Sequence, residues 1–448
     1  MIQKYVTKAV DASSLAAFRI LFGLIMVWEV LRYLYYGRIA AYYIDPIFWF
    51  PYPFFPLVKP LSGLGMYWVF FFMGCGALGI ALGLYFRLSA ILFTLTYTYV
   101  FLLDQAQYNN HYYLICLIGF LLCFTNADRR LSVDRWRAKG ALPGWVPIWQ
   151  PMILRAQIFL VYFWGGVAKI NTDWLQAKPM NMWLAERAHY PLAGPFFETE
   201  MGAYFFSYGG LFFDLFIGFI LWNRRLRLLG FVGVLFFHLM NKWLFSIGIF
   251  PYAMIAATVL FCEFDWPRGL LKKVGLRYQK ALTPIPKNRF VEISRVGLCG
   301  IALFLLLQIT IPLRHFLYPN YVSWTEEGHN FSWHMKLRDK DGRVNFIAQD
   351  IEAQYFWHVD LTDFLTDRQI GKMEDRPVML HQFARFLADH YRQINGRDVA
   401  IYVDCWVSLN GRPYRRLIEG DRDLGNEPLN LIAPADWLMK LDSVEEYD

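Results

Sequence analysis

Nine stretches of this chain are apolar enough to lie in a bilayer, and that limits the fold more than any other feature. Hydrocarbon offers the backbone no hydrogen-bond partners, so such segments are expected to be helices. The expected spans run approximately Leu15–Tyr36, Leu64–Phe86, Leu88–Leu103, His111–Thr125, Pro151–Lys169, Phe206–Trp222, Leu226–Asn241, Leu244–Cys262 and Arg295–Leu313. Residues 226–262 would also suit one tilted helix. They are divided because His238, Asn241 and Lys242 interrupt the centre of the stretch. Of 448 residues 56% are hydrophobic and 18% charged, too few polar residues for a water-soluble surface. The 19% of aromatics suits interfacial belts or a pocket for a flat apolar ligand. The expected fold is mainly α: a polytopic membrane helix bundle of about nine spans, with a small extramembrane α+β domain at the C-terminus.

Loop charge sets the expected orientation. With the N-terminus cytoplasmic, nineteen Lys and Arg fall in inner segments, including Arg129, Arg130, Arg224 and Arg225. Outer loops before residue 314 hold five, leaving Lys169 aside. The net charge of +7 therefore belongs to particular loops and is not read as nucleic-acid binding. An odd number of spans places the C-terminal region outside, in a periplasm or lumen.

The expected division is a transmembrane bundle over 1–313 and an extracytoplasmic domain over 314–448. The second part is polar. Asp341-Gly342 within 335–347 reads as a hairpin turn, and Asn410-Gly411 between 399–409 and 412–418 as a stronger one. Residues 378–391 carry Leu380, Phe383, Leu387 and Tyr391 near helical spacing. The Pro-rich stretch 38–63 cannot be a spanning helix and is expected at the outer interface or lining a cavity. The six cysteines form no metal or disulfide pattern and read as small buried hydrophobes. No cleavable signal peptide is evident, since the first span is too long for one.

The span count brings polar residues together. Asn109, Asn110 and His111 open the fourth span, Lys169 closes the fifth, and His238, Asn241 and Lys242 close the seventh, all at the outer end. Glu29 and Asp214 are expected deeper. Each residue has a plain reading: Lys169 snorkelling to the interface, the asparagines capping, His238 packing, and Asp214 and Glu29 pairing with Arg19, Arg32 or Arg155. Taken together, an amine, amides and imidazoles at one depth beside aromatic surface suit catalysis near an apolar cosubstrate. The chain has no phosphate-binding loop, HExxH or GxSxG motif, and no metal is expected.

Several motifs carry a family resemblance. Tyr108-Asn-Asn-His-Tyr-Tyr-Leu114, Gln157-Ile-Phe-Leu-Val-Tyr-Phe163, Gly166-Val-Ala-Lys-Ile-Asn-Thr-Asp-Trp174, Phe237-His-Leu-Met-Asn241, Leu244-Phe-Ser-Ile-Gly-Ile-Phe250 and Asp404-Cys-Trp-Val-Ser-Leu-Asn410 resemble vitamin K-dependent γ-glutamyl carboxylases in the same order. The chain resembles a short, bacterial-type member, with Ala168 where animal members have a second lysine. The resemblance implies a lyase that uses vitamin K hydroquinone as cosubstrate, with O2 and CO2. It would convert glutamate of a protein or peptide to γ-carboxyglutamate and yield vitamin K epoxide. It assigns Lys169 as the base for the quinol, and Asn110 and His111 to the reacting glutamate. His238, Asn241 and Asn109 are second-rank candidates for orienting quinone or substrate. An amine cannot remove a glutamate γ-proton directly, whereas quinol oxygenation releases enough free energy to make a stronger base where water is excluded. The competing readings are quinol epoxidation without carboxylation, an ion-coupled transporter, and a non-catalytic quinone-binding protein.

Overall fold

The computed structural model describes residues 7–139, 141–245, 247–273, 293–430 and 433–441. The apolar half contains α1 (Ser13–Tyr35), α2 (Gly65–Leu82), α3 (Phe86–Leu102), α4 (Asn110–Cys123), α5 (Trp149–Ala168), α6 (Glu200–Trp222), α7 (Arg227–Phe245), α8 (Phe250–Thr258) and α9 (Arg295–Thr310). Six helices among the described residues are long and apolar enough to cross a membrane: α1, α2, α5, α6, α7, and α9 with its extension to Leu317. The other three expected spans coincide with the shorter apolar helices α3, α4 and α8. The 14 residues of α4 rise only about 21 Å, against a hydrocarbon core of about 30 Å. Helix length therefore supports six spans, and the count of nine does not follow from it. Arg277, Lys280, Lys287, Arg289 and Lys4, counted among the inner charges, lie outside the described residues.

His238, Asn241 and Lys242 do not break a helix. α7 runs through all three to Phe245, because polar side chains leave the i to i−4 ladder intact, and His238 and Asn241 face a cavity. The next helix begins at Phe250, with Pro251 in its first turn, where the missing N–H costs nothing.

The C-terminal part has a four-stranded antiparallel sheet, β1 (Lys340–Asp350), β2 (Tyr355–His358), β3 (Val399–Leu409) and β4 (Arg415–Arg416), in spatial order β2-β1-β3-β4. Two helices accompany it, α10 (Asp367–Met373) and α11 (Pro377–Asn395). Leu380, Phe383 and Leu387 of α11 pack on Phe346, Ile401 and Val403 of the sheet. Asn410-Gly411 is the β3–β4 turn, with φ of 52° and 74°, the double left-handed conformation that such a turn requires. Asp341-Gly342 is not a turn. It lies inside β1, paired with Ser408 and Val407. A Cβ on Gly342 would meet the Glu374 carbonyl at 2.5 Å, so the glycine serves a close backbone approach.

The Pro-rich stretch joins the two parts. After a short helix, Arg38–Tyr43, it has no long regular element. The Phe48 ring packs tilted against that of Phe386 of α11, with centroids at 4.6 Å, and Phe50 is buried in the same core. The Gln369 amide donates to the Phe48 carbonyl at 2.7 Å. Arg38 and Tyr42 line the cavity described next.

Candidate active site

A cavity of about 730 Å³ lies where the outer ends of α4, α5 and α7 meet the C-terminal domain. That volume suits a small-molecule site. Asn109, Asn110, His111, Lys169, His238 and Asn241 all line it. One wall is aromatic, with Phe213 and Phe237 stacked at 3.8 Å.

Lys169 ends α5 and is 5% exposed, so it does not snorkel. Its Nζ donates to Asp214 Oδ2 at 2.6 Å and to the Gly165 carbonyl at 3.2 Å, and stands 5.3 Å from the Trp174 ring centroid. The pairing depends on close helix packing: a Cβ on Gly166 would sit 2.7 Å from the Leu215 nitrogen of α6. Asp214 therefore belongs to the site and pairs with none of the three arginines. Arg19 donates to the carbonyls of Ala127, Ile80 and Ala81, and Arg155 to those of Leu260 and Cys262. Glu29 pairs with Arg32 at 2.7 Å, one of the partners expected for it.

His238 is buried, with Nε2 2.7 Å from the Tyr162 hydroxyl. The His111 ring contacts those of Tyr112 and Phe250, with centroids at 4.4 and 5.8 Å. Asn109 occupies the N-cap of α4 without a side-chain cap bond. Asn110 is not a cap. Its Nδ2 donates to the His334 carbonyl at 2.8 Å, and its Oδ1 accepts from the Tyr108 hydroxyl at 2.9 Å. The Tyr108 oxygen accepts in turn from the Phe331 N–H at 2.6 Å.

Those bonds reach a strap that the sequence did not single out. Between 326 and 338, Glu326, Phe331, Trp333 and Lys336 have φ of 62°, 65°, 60° and 49°, and Gly328 has 74°. Four non-glycine residues in the left-handed region are strained, a condition that clusters at functional sites. His329, His334, Lys336 and Arg338 of this strap line the cavity. Glu326 ties it down, accepting from Arg338 and from Lys340 Nζ at 3.3 Å. Burial, then the nearby His315, Arg338, Arg314 and Lys169, lower the His334 pKa to about 3, so its ring is neutral. Irregular backbone has no periodicity to read, which is why the strap was missed. Among the described residues no group of three or more His, Cys, Asp or Glu is arranged to hold a metal ion.

Residues 7–266, more than half of the chain, match the HTTM domain, and residues 293–444 match the lumenal domain of vitamin K-dependent gamma-carboxylase. The chain belongs to the vitamin K-dependent γ-carboxylase family. It is a carboxylase-like, multi-pass membrane protein, and its C-terminal sheet lies within the family's lumenal domain. No solved structure matches it. Membership in the carboxylase family implies use of vitamin K hydroquinone, O2 and CO2, and glutamate-containing protein substrates. The lumenal match begins before α9, so the family pattern takes in that helix with the sheet.

Proposed function

We propose that the chain is an integral membrane γ-glutamyl carboxylase that couples conversion of vitamin K hydroquinone to its epoxide with CO2 addition at the γ-carbon of protein glutamate. One observation carries this reading: Lys169, Asn110 and His111 line a single cavity with an aromatic wall on the membrane side and the lumenal domain opposite. The aromatic wall fits a naphthoquinone ring, and the lumenal side fits a peptide. Bound hydroquinone, with O2, supplies the oxidative driving force and the strong base that the reaction needs.

Lys169 takes the proton from the hydroquinone. The Lys169–Asp214 pair is net neutral whether the shared proton sits on Nζ or on Oδ2. Moving it to Oδ2 leaves a free amine without creating a buried net charge, which the site would oppose. Tyr162 and His238 hold the wall beside it, with Asn241 nearby to orient the ring. His111 faces the reacting glutamate and stabilises charge developing at its γ-carbon. Packing of the lumenal domain over the cavity excludes water, which a strong base requires.

The same reading places the N-terminus in the cytoplasm and has all nine apolar helices cross, an odd number that leaves the C-terminal domain on the lumenal side, with the short α3, α4 and α8 completed by the segments that adjoin them. It divides the chain into a bundle over 1–313 and a lumenal domain over 314–448. The deciding assay uses the purified chain with vitamin K hydroquinone, O2, a glutamate peptide and labelled CO2, following epoxide and fixed label together. Both products are expected. Epoxide without fixed label would overturn the carboxylase assignment, and neither product would overturn the enzyme.

A further inference from the structure

We propose that His334 is the side chain that binds the carboxylate of the substrate glutamate, and that Asn110 acts through it by bracing the strap. The inference rests on the carboxylase reading given above.

The His334 ring is 5% exposed and lines the cavity, yet neither of its nitrogens has a hydrogen-bond partner among the described residues. Burying an imidazole in this way is unfavourable unless a partner arrives. The two histidines beside it are differently placed. His315 Nδ1 lies 2.7 Å from the Pro312 carbonyl, and His329 Nε2 lies 3.1 Å from an Arg338 nitrogen. Their rings stand 4.7 and 5.2 Å from that of His334, which alone of the three keeps both nitrogens unengaged.

The surroundings select an anion. Arg314, Arg338 and Lys169 all act on His334 electrostatically. Each is already engaged: Arg314 with the Asn330 carbonyl, Arg338 with Glu326, and Lys169 with Asp214. They supply positive potential, and Arg338 Nε, buried without a hydrogen-bond partner among the described residues, adds a donor. The neutral His334 imidazole adds a directional bond of its own, one N–H for a carboxylate oxygen.

Asn110 is committed elsewhere. Its oxygen and one amide hydrogen are both bonded into the strap network, to Tyr108 and to the His334 carbonyl. The bond to that carbonyl fixes the backbone of His334 itself, within a segment whose left-handed residues would relax if released. Asn110 is therefore a positioning residue, and His334 the group that touches substrate.

The test measures binding of a glutamate-containing peptide to the full-length chain in lipid nanodiscs without vitamin K, and then steady-state carboxylation. His334→Ala should weaken peptide binding and raise the peptide KM tenfold or more, with the hydroquinone KM within twofold. His334→Gln keeps an N–H donor and should recover most of the loss. Asn110→Ala combined with His334→Ala should bind no worse than His334→Ala alone. Wild-type peptide binding in His334→Ala would overturn the proposal. Failure of the glutamine variant together with a lowered melting temperature would also overturn it, in favour of a structural role. Additive losses in the double variant would remove the bracing role of Asn110. If the wild-type chain binds the peptide but fixes no label, the carboxylase reading alone fails. If it binds no peptide, both fail.

Discussion

Lys169 Nζ stands 2.6 Å from the Asp214 carboxylate, with both side chains nearly closed off from solvent. This changes how the base must be tested. Lys169→Ala leaves Asp214 buried without its partner, a change that typically costs about 3–5 kcal/mol. Loss of activity in that variant alone would mix chemistry with stability. Combining Lys169→Met with Asp214→Asn removes both charges. We expect the double variant to regain most of the melting temperature lost by Lys169→Ala, while epoxidation stays down by about a thousandfold. Epoxidation near the wild-type rate in the double variant would eliminate Lys169 as the base. His111 has a separate role, so the two half-reactions should come apart. His111→Ala should lower the ratio of fixed label to epoxide by about a hundredfold, equivalent to roughly 3 kcal/mol of charge stabilisation. An unchanged ratio would leave His111 as a packing residue against Tyr112 and Phe250.

The strap from 326 to 338 governs the lumenal face of the site and gives the protein an acid limit. The His334 pKa is lowered to about 3 in the folded chain by burial, then by the neighbouring His315, Arg338, Arg314 and Lys169. His329 is lowered well below its ordinary value by burial, then by Arg338, His334, Arg376 and Lys340. Histidines in the unfolded chain titrate near 6.5. Between those values the unfolded chain binds more protons, so stability is complete above about pH 6.5 and is lost as pH falls below it. The slope is about 1.4 kcal/mol per pH unit for each histidine. Melting temperature should therefore drop between pH 7 and pH 5, and His334→Gln should drop less. An equal drop in both would show that His334 is not neutral in the fold. Legibility divides by element in the same region. The Asn410-Gly411 turn could be read because its two left-handed residues are a local requirement. Asp341-Gly342 presents a similar dipeptide, but its glycine answers to Glu374 on another element. The strap has no period and no repeated motif, so His334 and its neighbours left no signal. Asp214 was visible as an unusual intramembrane charge, yet its partner lies 45 positions away and depends on the α5–α6 approach at Gly166.

Across the whole molecule, the sequence separated an apolar half from a polar one and brought the six nominated residues to one end of the helices. That worked because hydropathy is summed over many residues and tolerates local error. The number of crossings is less secure, because α3, α4 and α8 are apolar but short, and apolarity alone does not measure length. Sidedness is where the count has consequences. The carboxylase reading needs the lumenal domain and the cavity mouth on the side opposite the N-terminus, with the Arg-rich segment after α4 remaining cytoplasmic. That segment packs Arg130 against Asp11 at 3.4 Å, and Asp11 also accepts from Arg268 at 2.7 Å, so the first described stretch of the HTTM part meets the segment just beyond its end there. Arg130 and Asp11 are buried and Arg268 is partly exposed, so this ion cluster ties the stretches together at one end of the bundle. Arg135 is buried, so a label is better placed at the exposed Lys139, with exposed Asp421 as the lumenal counterpart. The native cysteines must first be replaced, since Cys75 and Cys299 are exposed. Lys139→Cys and Asp421→Cys should then react with a membrane-impermeant maleimide from opposite sides of sealed vesicles, Lys139→Cys from the cytoplasmic side. Reaction of both from the same side would mean an even number of crossings between them, and would overturn the orientation on which the proposed function stands.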